Sequence, residues 1–427
     1  MKIFLKIILV FLLFFAVFSC KKETDEENPG IKILVPENNT VFSVLDTIVV
    51  KAEISDNEQL ISVNCYIEDE NAEIISGVKT FKASGKNYTL QTVIILNDIR
   101  IKTAYYNLVV SASDGTNRSK AYRRIHLTTV PKQLENIYFI SRTNSNIYRL
   151  KNNVFELKKS FGFNLSSAGV LHYYDIIYLL DKSGNLHNIN LDNFSTNWTV
   201  QGLNDPLHDY NGMIQISDSY CYVSTKESNI LAYDINGNIR KKAISLNHAY
   251  QAGQFIISAS SIYHNATSGE INQNIIERFN SNTGASLTTN IFNYEIIKML
   301  ELNEEEIIVF SNKNDSLYIT RFGEMYNGER PFHCDFPQEI TDVIKLNDKY
   351  IFSTNTGLYS FDTGTEFIVN INNENQIKHL YYEELSNKIY LQTQTELKIL
   401  DAQNLSIENV INLPEQNGII VFDYNKP

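Results

Sequence analysis

The sequence contains few cysteines, and they do not form a disulfide framework. It has 4 cysteines in 427 residues, and Cys65, Cys221 and Cys334 lie far apart along the chain, unlike the closely spaced pairs of disulfide-stabilised domains. Cys65 and Cys221 fall within strand-like segments, where we expect them to be small buried apolar residues. The sequence gives Cys334 no evident histidine base, which favours a half-buried thiol over a nucleophile.

Positive charge and helical periodicity are also scarce. The chain has 37 Lys and Arg against 49 Asp and Glu, a net charge of −12, and no basic block, so nucleic acid is not an expected partner. No segment of good length has apolar residues at helical spacing, whereas 25 Tyr and 23 Phe favour strands. We therefore expect an all-β protein, and its length requires two or more domains.

Motifs with a known catalytic mechanism are absent from the sequence. It has no HExxH, no glycine-rich phosphate loop, no CxxC and no nucleophile elbow. We therefore assign no catalytic residue, no metal ligand and no cofactor from the sequence.

The N-terminal stretch indicates export and a lipid anchor. Lys2 and Lys6 precede the apolar run Ile7–Phe18, a layout typical of a secretory signal and too short to span a bilayer, which needs ~20 residues. The following Ser19 and Cys20 resemble a bacterial lipoprotein signal. The resemblance implies a signal peptide over 1–19 and membrane attachment through lipid on Cys20. The alternative is an ordinary secreted protein with an incidental cysteine.

The residues around Cys20 also suggest a cellular location. Phe18 occupies a position at which such signals usually have a small residue. This departure from the usual signal pattern resembles the signals of Bacteroidota-type lipoproteins. The acidic segment 23–27 resembles the surface-export tag of that group. The resemblance implies an outer-membrane lipoprotein of the cell envelope. It would be exposed at the cell surface if the acidic segment acts as an export signal. Residues 20–30 are then expected to form a disordered tether.

Residues 31–130 contain seven short strand-like segments separated by polar breaks, a pattern that predicts an immunoglobulin-like β-sandwich. The segments are 31–35, 48–54, 61–67, 74–81, 88–96, 105–112 and 119–127. The stretch YYNLVVSASDGTN (105–117) resembles bacterial immunoglobulin-like and cadherin-like domains, which implies possible calcium ligands at Asp56 and Asp114. Without a dense ligand cluster, we expect these aspartates to cap turns.

Residues 131–427 contain a repeat. Seven stretches each read as an apolar-aromatic strand, a polar turn and a second strand: 137–150, 177–190, 221–234, 262–280, 307–322, 350–362 and 389–401. Such hairpins at a period of ~40–45 residues are typical of a β-propeller with four strands per blade.

The chain's last strand is expected to complete this propeller. A strand is expected before most of the other hairpins, over 169–174, 212–217, 296–302, 340–346 and 377–382. The first repeat lacks such a strand, and GIIVFDYNKP (418–427) reads like the missing one. We predict that Ile419–Tyr424 pairs beside Ile137–Ser141, because closure removes exposed strand edges. Seven hairpins then predict seven blades, with six or eight left open by the irregular fourth repeat.

The stretch CYVSTKESNILAYDINGNI (221–239) resembles the YVTN and quinoprotein-like propellers, a WD40-like group. This likeness extends over the whole repeat region but implies only the fold. The WD40 signature and sialidase Asp boxes are absent. The repeated tryptophan motif of quinone-dependent dehydrogenases is also missing, since Trp198 is the only Trp.

The segments between repeats supply the candidate ligand-binding residues. In a propeller these segments cross one face near the central funnel, where imidazole and phenol groups suit a polar or glycan ligand. The candidates are His208, Tyr210, His248, Tyr250, His333 and Asp335. The alternative is that the repeats copy one another and these residues pack the loops.

These observations together favour a non-enzymatic module at the outer membrane that binds a protein or a glycan. The sandwich would act as a spacer and the propeller as the binding surface. Two alternatives stay open: an enzyme, such as a lyase or hydrolase, with its site in the funnel, and a purely structural envelope protein.

Overall fold

The computed structural model describes residues 27–99, 101–202, 212–217, 219–245, 251–258, 260–268, 273–292, 294–323, 328–332 and 336–425. The chain forms two compact units that divide between Pro131 and Lys132. Over the described residues the regular structure is strand, apart from one 3-10 turn at His172–Tyr174, so the all-β prediction is confirmed. In these ranges no helix is long and apolar enough to cross a membrane.

The first unit consists of two β-sheets. Its strands are β1 (Gly30–Val35), β2 (Thr40–Ser43), β3 (Thr47–Ser55), β4 (Ser62–Glu68), β5 (Lys79–Lys82), β6 (Asn87–Ile95), β7 (Ala104–Ser113) and β8 (Arg118–Thr128). One sheet has the order β1-β3-β6 and the other the order β2-β8-β7-β4-β5. The neighbours pair antiparallel, except that β2 runs parallel to β8.

Alternating apolar residues build the core of this unit. Along β3 the residues alternate between exposed and buried, and Ile48, Val50, Ala52 and Ile54 all face inward. They join one apolar cluster with residues of the other sheet, as the period-2 geometry of strands requires. Cys65 belongs to this cluster and is fully buried, and burial raises the pKa of its thiol to about 12. The prediction of a small buried residue is confirmed.

In this unit one strand was missed and one predicted strand was wrong in its bounds. The four-residue strand β2 was not expected, and the strand expected over 74–81 is shorter, since β5 covers only Lys79–Lys82. Ser76 explains the shortening, because its Oγ accepts the hydrogen bond of Ile67 N at 2.8 Å in place of a backbone carbonyl.

The second unit comprises four-stranded antiparallel sheets, seven of them in the described residues. The first sheet contains β9 (Leu134–Ser141), β10 (Ile147–Lys151) and β11 (Val154–Lys159). The second contains β12 (Leu165–Leu171), β13 (Ile176–Asp181), β14 (Leu186–Asn190) and β15 (Thr196–Val200), and the third β16 (Ile214–Ser217), β17 (Tyr220–Ser224), β18 (Ile230–Tyr233) and β19 (Ile239–Ala243).

The remaining sheets follow in chain order. The fourth contains β20 (Gln251–Ile257), β21 (Ser261–Ser268), β22 (Gln273–Asn280) and β23 (Ser286–Ile291), and the fifth β24 (Glu295–Glu301), β25 (Glu306–Lys313), β26 (Ser316–Gly323) and β27 (Arg330–Pro331). The sixth contains β28 (Ile340–Leu346), β29 (Lys349–Thr354), β30 (Leu358–Asp362) and β31 (Ile368–Asn372), and the seventh β32 (His379–Glu383), β33 (Lys388–Gln392), β34 (Glu396–Asp401) and β35 (Ile407–Asn412). The last strand, β36 (Gly418–Tyr424), completes the first sheet in the order β11-β10-β9-β36.

The hairpins predicted from the repeat are confirmed, and one flanking strand differs. Each predicted hairpin matches two paired strands of one sheet. The strand expected over 169–174 instead ends at Leu171, and His172–Tyr174 form a 3-10 turn. The backbone reverses there because Asp175 adopts a left-handed conformation with φ 49°, which ends an extended segment.

The predicted pairing of the last strand with the first repeat is confirmed. β36 runs antiparallel to β9, with Ile419 opposite Ile140 and Phe422 opposite Ile137. Gly418 lies directly against the ring of Phe139, where a Cβ atom would clash. The absence of a side chain at residue 418 therefore allows the strand to dock closely.

Apolar clusters fill the junctions between successive sheets. Each of seven clusters contains residues from two neighbouring sheets. The last of them joins Tyr390 and Leu397 of the seventh sheet to Phe139 and Ile420 of the first. Both faces of a sheet are therefore covered by its neighbours, and the arrangement is that of a β-propeller-like fold.

Candidate functional site

The site residues predicted from the sequence lie outside the described residues. These are Cys20, His208, Tyr210, His248, Tyr250, His333 and Asp335, together with Cys334. They stay predictions. In the chain, residues 246–250 come directly before β20, and residues 333–335 come between β27 and β28.

The aspartates considered as calcium ligands cap turns. Asp114 Oδ1 accepts hydrogen bonds from Thr116 N and Asn117 N, both at 2.6 Å. Asp56 Oδ1 accepts one from Glu58 N at 2.9 Å. The turn-capping prediction is confirmed. In the part of the chain that the structure describes, no three His, Cys, Asp or Glu side chains are grouped to hold a metal ion.

Each four-stranded sheet described in the second unit has one edge strand that lies near an edge strand of a neighbouring sheet. We call β36, β12, β16, β20, β24, β28 and β32 the inner strands. Each forms one edge of its sheet and lies beside the corresponding edge strand of a neighbouring sheet. Edge strands leave backbone groups without ladder partners. Polar side chains near this edge can therefore bond to the backbone of the next sheet.

Each junction between successive sheets carries a hydrogen bond made by such a side chain. Six of the seven bonds have a backbone partner, and Lys298–Asp342 joins two side chains. The contacts, from the first-to-second junction round to the seventh-to-first, are Arg142 Nη1 to Ser166 O (2.5 Å), Ile214 N to Ser167 Oγ (3.0 Å), Ile257 N to Gln215 Oε1 (3.2 Å), Gln254 Nε2 to Ile297 O (2.5 Å), Lys298 Nζ to Asp342 Oδ1 (2.9 Å), Leu380 N to Asp342 Oδ2 (3.0 Å) and Gln392 Nε2 to Gly418 O (3.1 Å). Five of these bonds join neighbouring inner strands, from β12 through to β32. In the other two, Arg142 follows β9 and Gln392 lies on β33. We call the seven bonds together the polar ring.

The charged part of this ring spans three successive sheets, and we call Lys298, Asp342 and His379 the charged cluster. Asp342 on β28 accepts a hydrogen bond from Lys298 on β24 and another from Leu380 N on β32. His379, also on β32, has its Nδ1 3.6 Å from Asp342 Oδ2. Asp342 is nearly buried, whereas the side chains of Lys298 and His379 are 31% and 35% exposed. The carboxylate thus lies behind two accessible nitrogen-bearing side chains.

The environment of Asp342 keeps its carboxyl group ionised. Burial alone would raise its pKa, but the Lys298 ammonium, the nearby His379 ring and the hydrogen bonds from Lys298 and Leu380 N outweigh burial and lower the pKa to about 2. Nearby positive charge and donors favour the charged form in this way. Asp342 therefore carries a full negative charge at neutral pH and orients the two side chains in front of it.

The cluster is suited to binding rather than to proton transfer by Asp342. Lys298 and His379 can donate hydrogen bonds to an acceptor-rich ligand at the centre of the unit. The 3.6 Å separation of Asp342 and His379 is longer than a hydrogen bond. A carboxyl group with a pKa of about 2 is also far from the near-neutral value of an effective general acid or base.

The sequence held a signal for this cluster that residue-by-residue motif searching misses. The segments IIKMLEL, ITDVIKL and IKHLYY begin at residues 296, 340 and 377. Lys298, Asp342 and His379 each occupy the third position of their segment. A polar residue at one register of three successive inner strands indicates that the three side chains meet in the ring.

The chain is similar in structure to two solved proteins at low identity. No protein-family model and no curated protein matches it. BamB from Moraxella catarrhalis is 12% identical over 67% of this chain and 91% of its own, with a TM-score of 0.41. A quinonprotein alcohol dehydrogenase-like protein from Bacteroides thetaiotaomicron VPI-5482 is 13% identical over 92% of this chain and 99% of its own, with a TM-score of 0.47. A quinoprotein-like structure is thus among the neighbours, and the function has to be inferred from this chain's own residues.

Proposed function

We propose that the protein is an envelope lipoprotein, anchored in the outer membrane through Cys20, whose second unit binds a protein or a glycan without catalysing a reaction. The second unit is proposed to be a seven-bladed β-propeller over 131–427. The first is proposed to be an immunoglobulin-like sandwich over 31–130 that acts as a spacer. Residues 1–19 would be the signal peptide and residues 20–30 the tether.

The sheet order of the two units supports this architecture. Among the described residues, seven four-stranded sheets follow one another in the second unit, and the last strand completes the first sheet. In the first unit a shared apolar core lies between a three-stranded and a five-stranded sheet. Both arrangements are those expected of the proposed folds.

The charged cluster is the observation that carries the binding function. The polar ring holds the inner strands in fixed register, so Lys298 and His379 are positioned before a ligand arrives, which lowers the entropic cost of binding. Asp342, which its surroundings keep ionised, fits a role in orienting Lys298 and His379 rather than in transferring a proton itself.

A pull-down from native membranes tests the binding function. The full-length lipidated protein would be compared with the double variant Lys298→Met/Asp342→Asn, which removes both charges together and leaves no buried charge without a partner. Lys378→Met is the matched control, because Lys378 is exposed and lies next to the cluster in sequence. Melting temperatures would establish that all three proteins are folded.

We expect mass spectrometry to identify a partner that is lost with the double variant and kept with Lys378→Met. A partner retained equally by both variants would place the binding surface elsewhere. If no protein or glycan is recovered with any of the three, the binding function would be refuted, and the enzyme and the structural alternatives would remain.

Cys20→Ala tests the membrane anchor separately. Two or three acyl chains hold a protein stably on a bilayer, at about 0.8 kcal/mol per buried methylene. Without the thiol no lipid can be attached, so we expect the variant to move from the membrane fraction to the soluble fraction. A variant that stays in the membrane fraction after a carbonate wash would exclude the lipid anchor.

A further inference from the structure

A cavity is lined by residues of the third, fourth and fifth sheets and by no residue of the charged cluster. Its volume is ≈ 290 Å³, and its lining includes Ser217, Tyr222, Lys241, Ser258 and Glu301. Ligand pockets usually measure about 300–1,000 Å³, so this cavity has the size for one small ring. Most of the side chains named here are polar, and one positive and one negative residue are among them.

Lys241 is held at this cavity by the packing of the third sheet. In the register of that sheet Tyr222 lies opposite Ala232, which lies opposite Lys241. Because the side chain of Ala232 is small, the Lys241 ammonium can reach across it. Its Nζ lies 6.0 Å from the ring centre of Tyr222 and 5.5 Å from that of Tyr220. Both rings attract the cation and keep a hydrogen-bond donor beside the cavity.

Ser258 provides an independent indication of a ligand. The residue is only 6% exposed, and its buried Oγ has no hydrogen-bond partner among the described residues. Its backbone N donates to Ser261 O at 2.8 Å, so the main chain is satisfied while the hydroxyl is not. A buried hydroxyl without a partner destabilises a fold. A bound molecule with its own hydroxyl groups would supply the missing partner.

We propose that this cavity binds one residue of a neutral saccharide, an inference that rests on the proposed glycan-binding function and adds a second place of contact, separate from the charged cluster. Sugar hydroxyls both donate and accept hydrogen bonds. They can therefore pair with the Ser258 hydroxyl, which does both, with Lys241, which only donates, and with Glu301, which only accepts. An anion is disfavoured, because Glu301 offsets the single charge of Lys241.

Saturation-transfer NMR and calorimetry on the full-length protein test the site. The probes are D-glucose, D-galactose and N-acetyl-D-glucosamine, with sulfate as the anionic comparison. Ser258→Ala removes the unpartnered hydroxyl, and Lys241→Met removes the ammonium while keeping a long apolar stem. Lys242→Met is the matched control, because Lys242 is exposed and adjacent in β19, where neighbouring side chains point to opposite faces.

We expect at least one sugar to bind, and each of the Ser258 and Lys241 variants to weaken that binding by about tenfold, with the Lys242 variant unchanged. The proposal is overturned if none of the three sugars binds, if binding is the same in all variants, or if sulfate binds more tightly than every sugar. A partner still recovered in the pull-down would show that only this site assignment has failed, and not the binding function itself.

Discussion

We expect the folded protein to lose stability in mild acid because of one buried residue, His264. It lies on β21 and is fully buried, and within the part of the chain that the structure describes neither ring nitrogen has a hydrogen-bond partner. Across the ladder it faces Glu277, which accepts a hydrogen bond from Ser245 Oγ at 2.6 Å. Because burial penalises the charged imidazolium, the pKa of His264 falls from 6.5 to about 3.

The direction and size of the effect follow from that pKa. The unfolded chain takes up a proton near its ordinary pKa of 6.5, whereas the folded protein resists protonation until about 3. The stability due to neutral His264 is therefore complete above the unfolded pKa and is lost as the pH falls. Linkage gives a loss of about 2 kcal/mol between about pH 7.5 and about pH 5, which rises toward about 5 kcal/mol below the folded pKa.

Urea unfolding of the wild type and His264→Leu at both pH values measures this loss. Leucine is similar in volume and does not titrate, so we expect the stability difference between the two pH values to shrink by about 2 kcal/mol. At neutral pH we expect the variant to be more stable, by about 1–2 kcal/mol, because two unpartnered buried nitrogens are removed. His126→Leu, at a partly exposed residue of the first unit, is the control and should not reproduce the change. An equal pH dependence in wild type and His264→Leu would refute the reasoning.

Two further substitutions test the ring and its closing strand. Asp342→Asn alone should cost about 3 kcal/mol in urea unfolding, because it removes the charge that pairs with Lys298, and adding Lys298→Met should recover most of the loss. Equal stability of the single and double variants would show that the pair contributes little. Gly418→Ala should lower stability by about 1–3 kcal/mol because the new methyl group meets the buried ring of Phe139. Gly77→Ala, where no atom lies within 4 Å of the added Cβ, should be neutral, and an equal effect at both glycines would contradict the close docking of the last strand.

Local patterns in the sequence were sufficient to predict most of the strands. The expected segment 340–346 coincides with β28, because period-2 alternation and polar turns depend only on neighbouring residues. The pairing of the last strand with the first repeat was also predictable. The first repeat lacked one strand, and the last segment of the chain had no partner strand within its own repeat. The strand β2 was missed because its four residues pair with β8, 85 residues later in the chain, and such a pairing leaves no local mark.

Local sequence patterns could not predict the charged cluster, for a related reason. Lys298, Asp342 and His379 lie on three strands separated by whole repeats. Each is an ordinary polar residue within its own segment, and only the closed succession of sheets brings them together. The candidates chosen instead, such as His208 and His248, lie in the segments between repeats and stay predictions.

The junction between the seventh and first sheets is distinctive because a strand from the far end of the chain completes it. At this junction the structure uses carboxylates: Glu383 accepts hydrogen bonds from Tyr424 OH at 2.9 Å and Ser386 N at 2.7 Å, and Glu415 accepts from Asn146 Nδ2 at 2.7 Å. Hydrogen bonds to a charged acceptor are stronger than neutral ones.

Burial opposes ionisation of Glu383 and Glu415, yet their hydrogen bonds outweigh it and lower both pKa values below 4.5. The stability that these carboxylates add is thus complete above that ordinary value and is lost only at lower pH. His264 begins to lose its contribution near 6.5, at the junction of the third and fourth sheets. Acidification should therefore weaken the ring first where His264 is buried, and the closing strand should hold until the carboxylates are protonated.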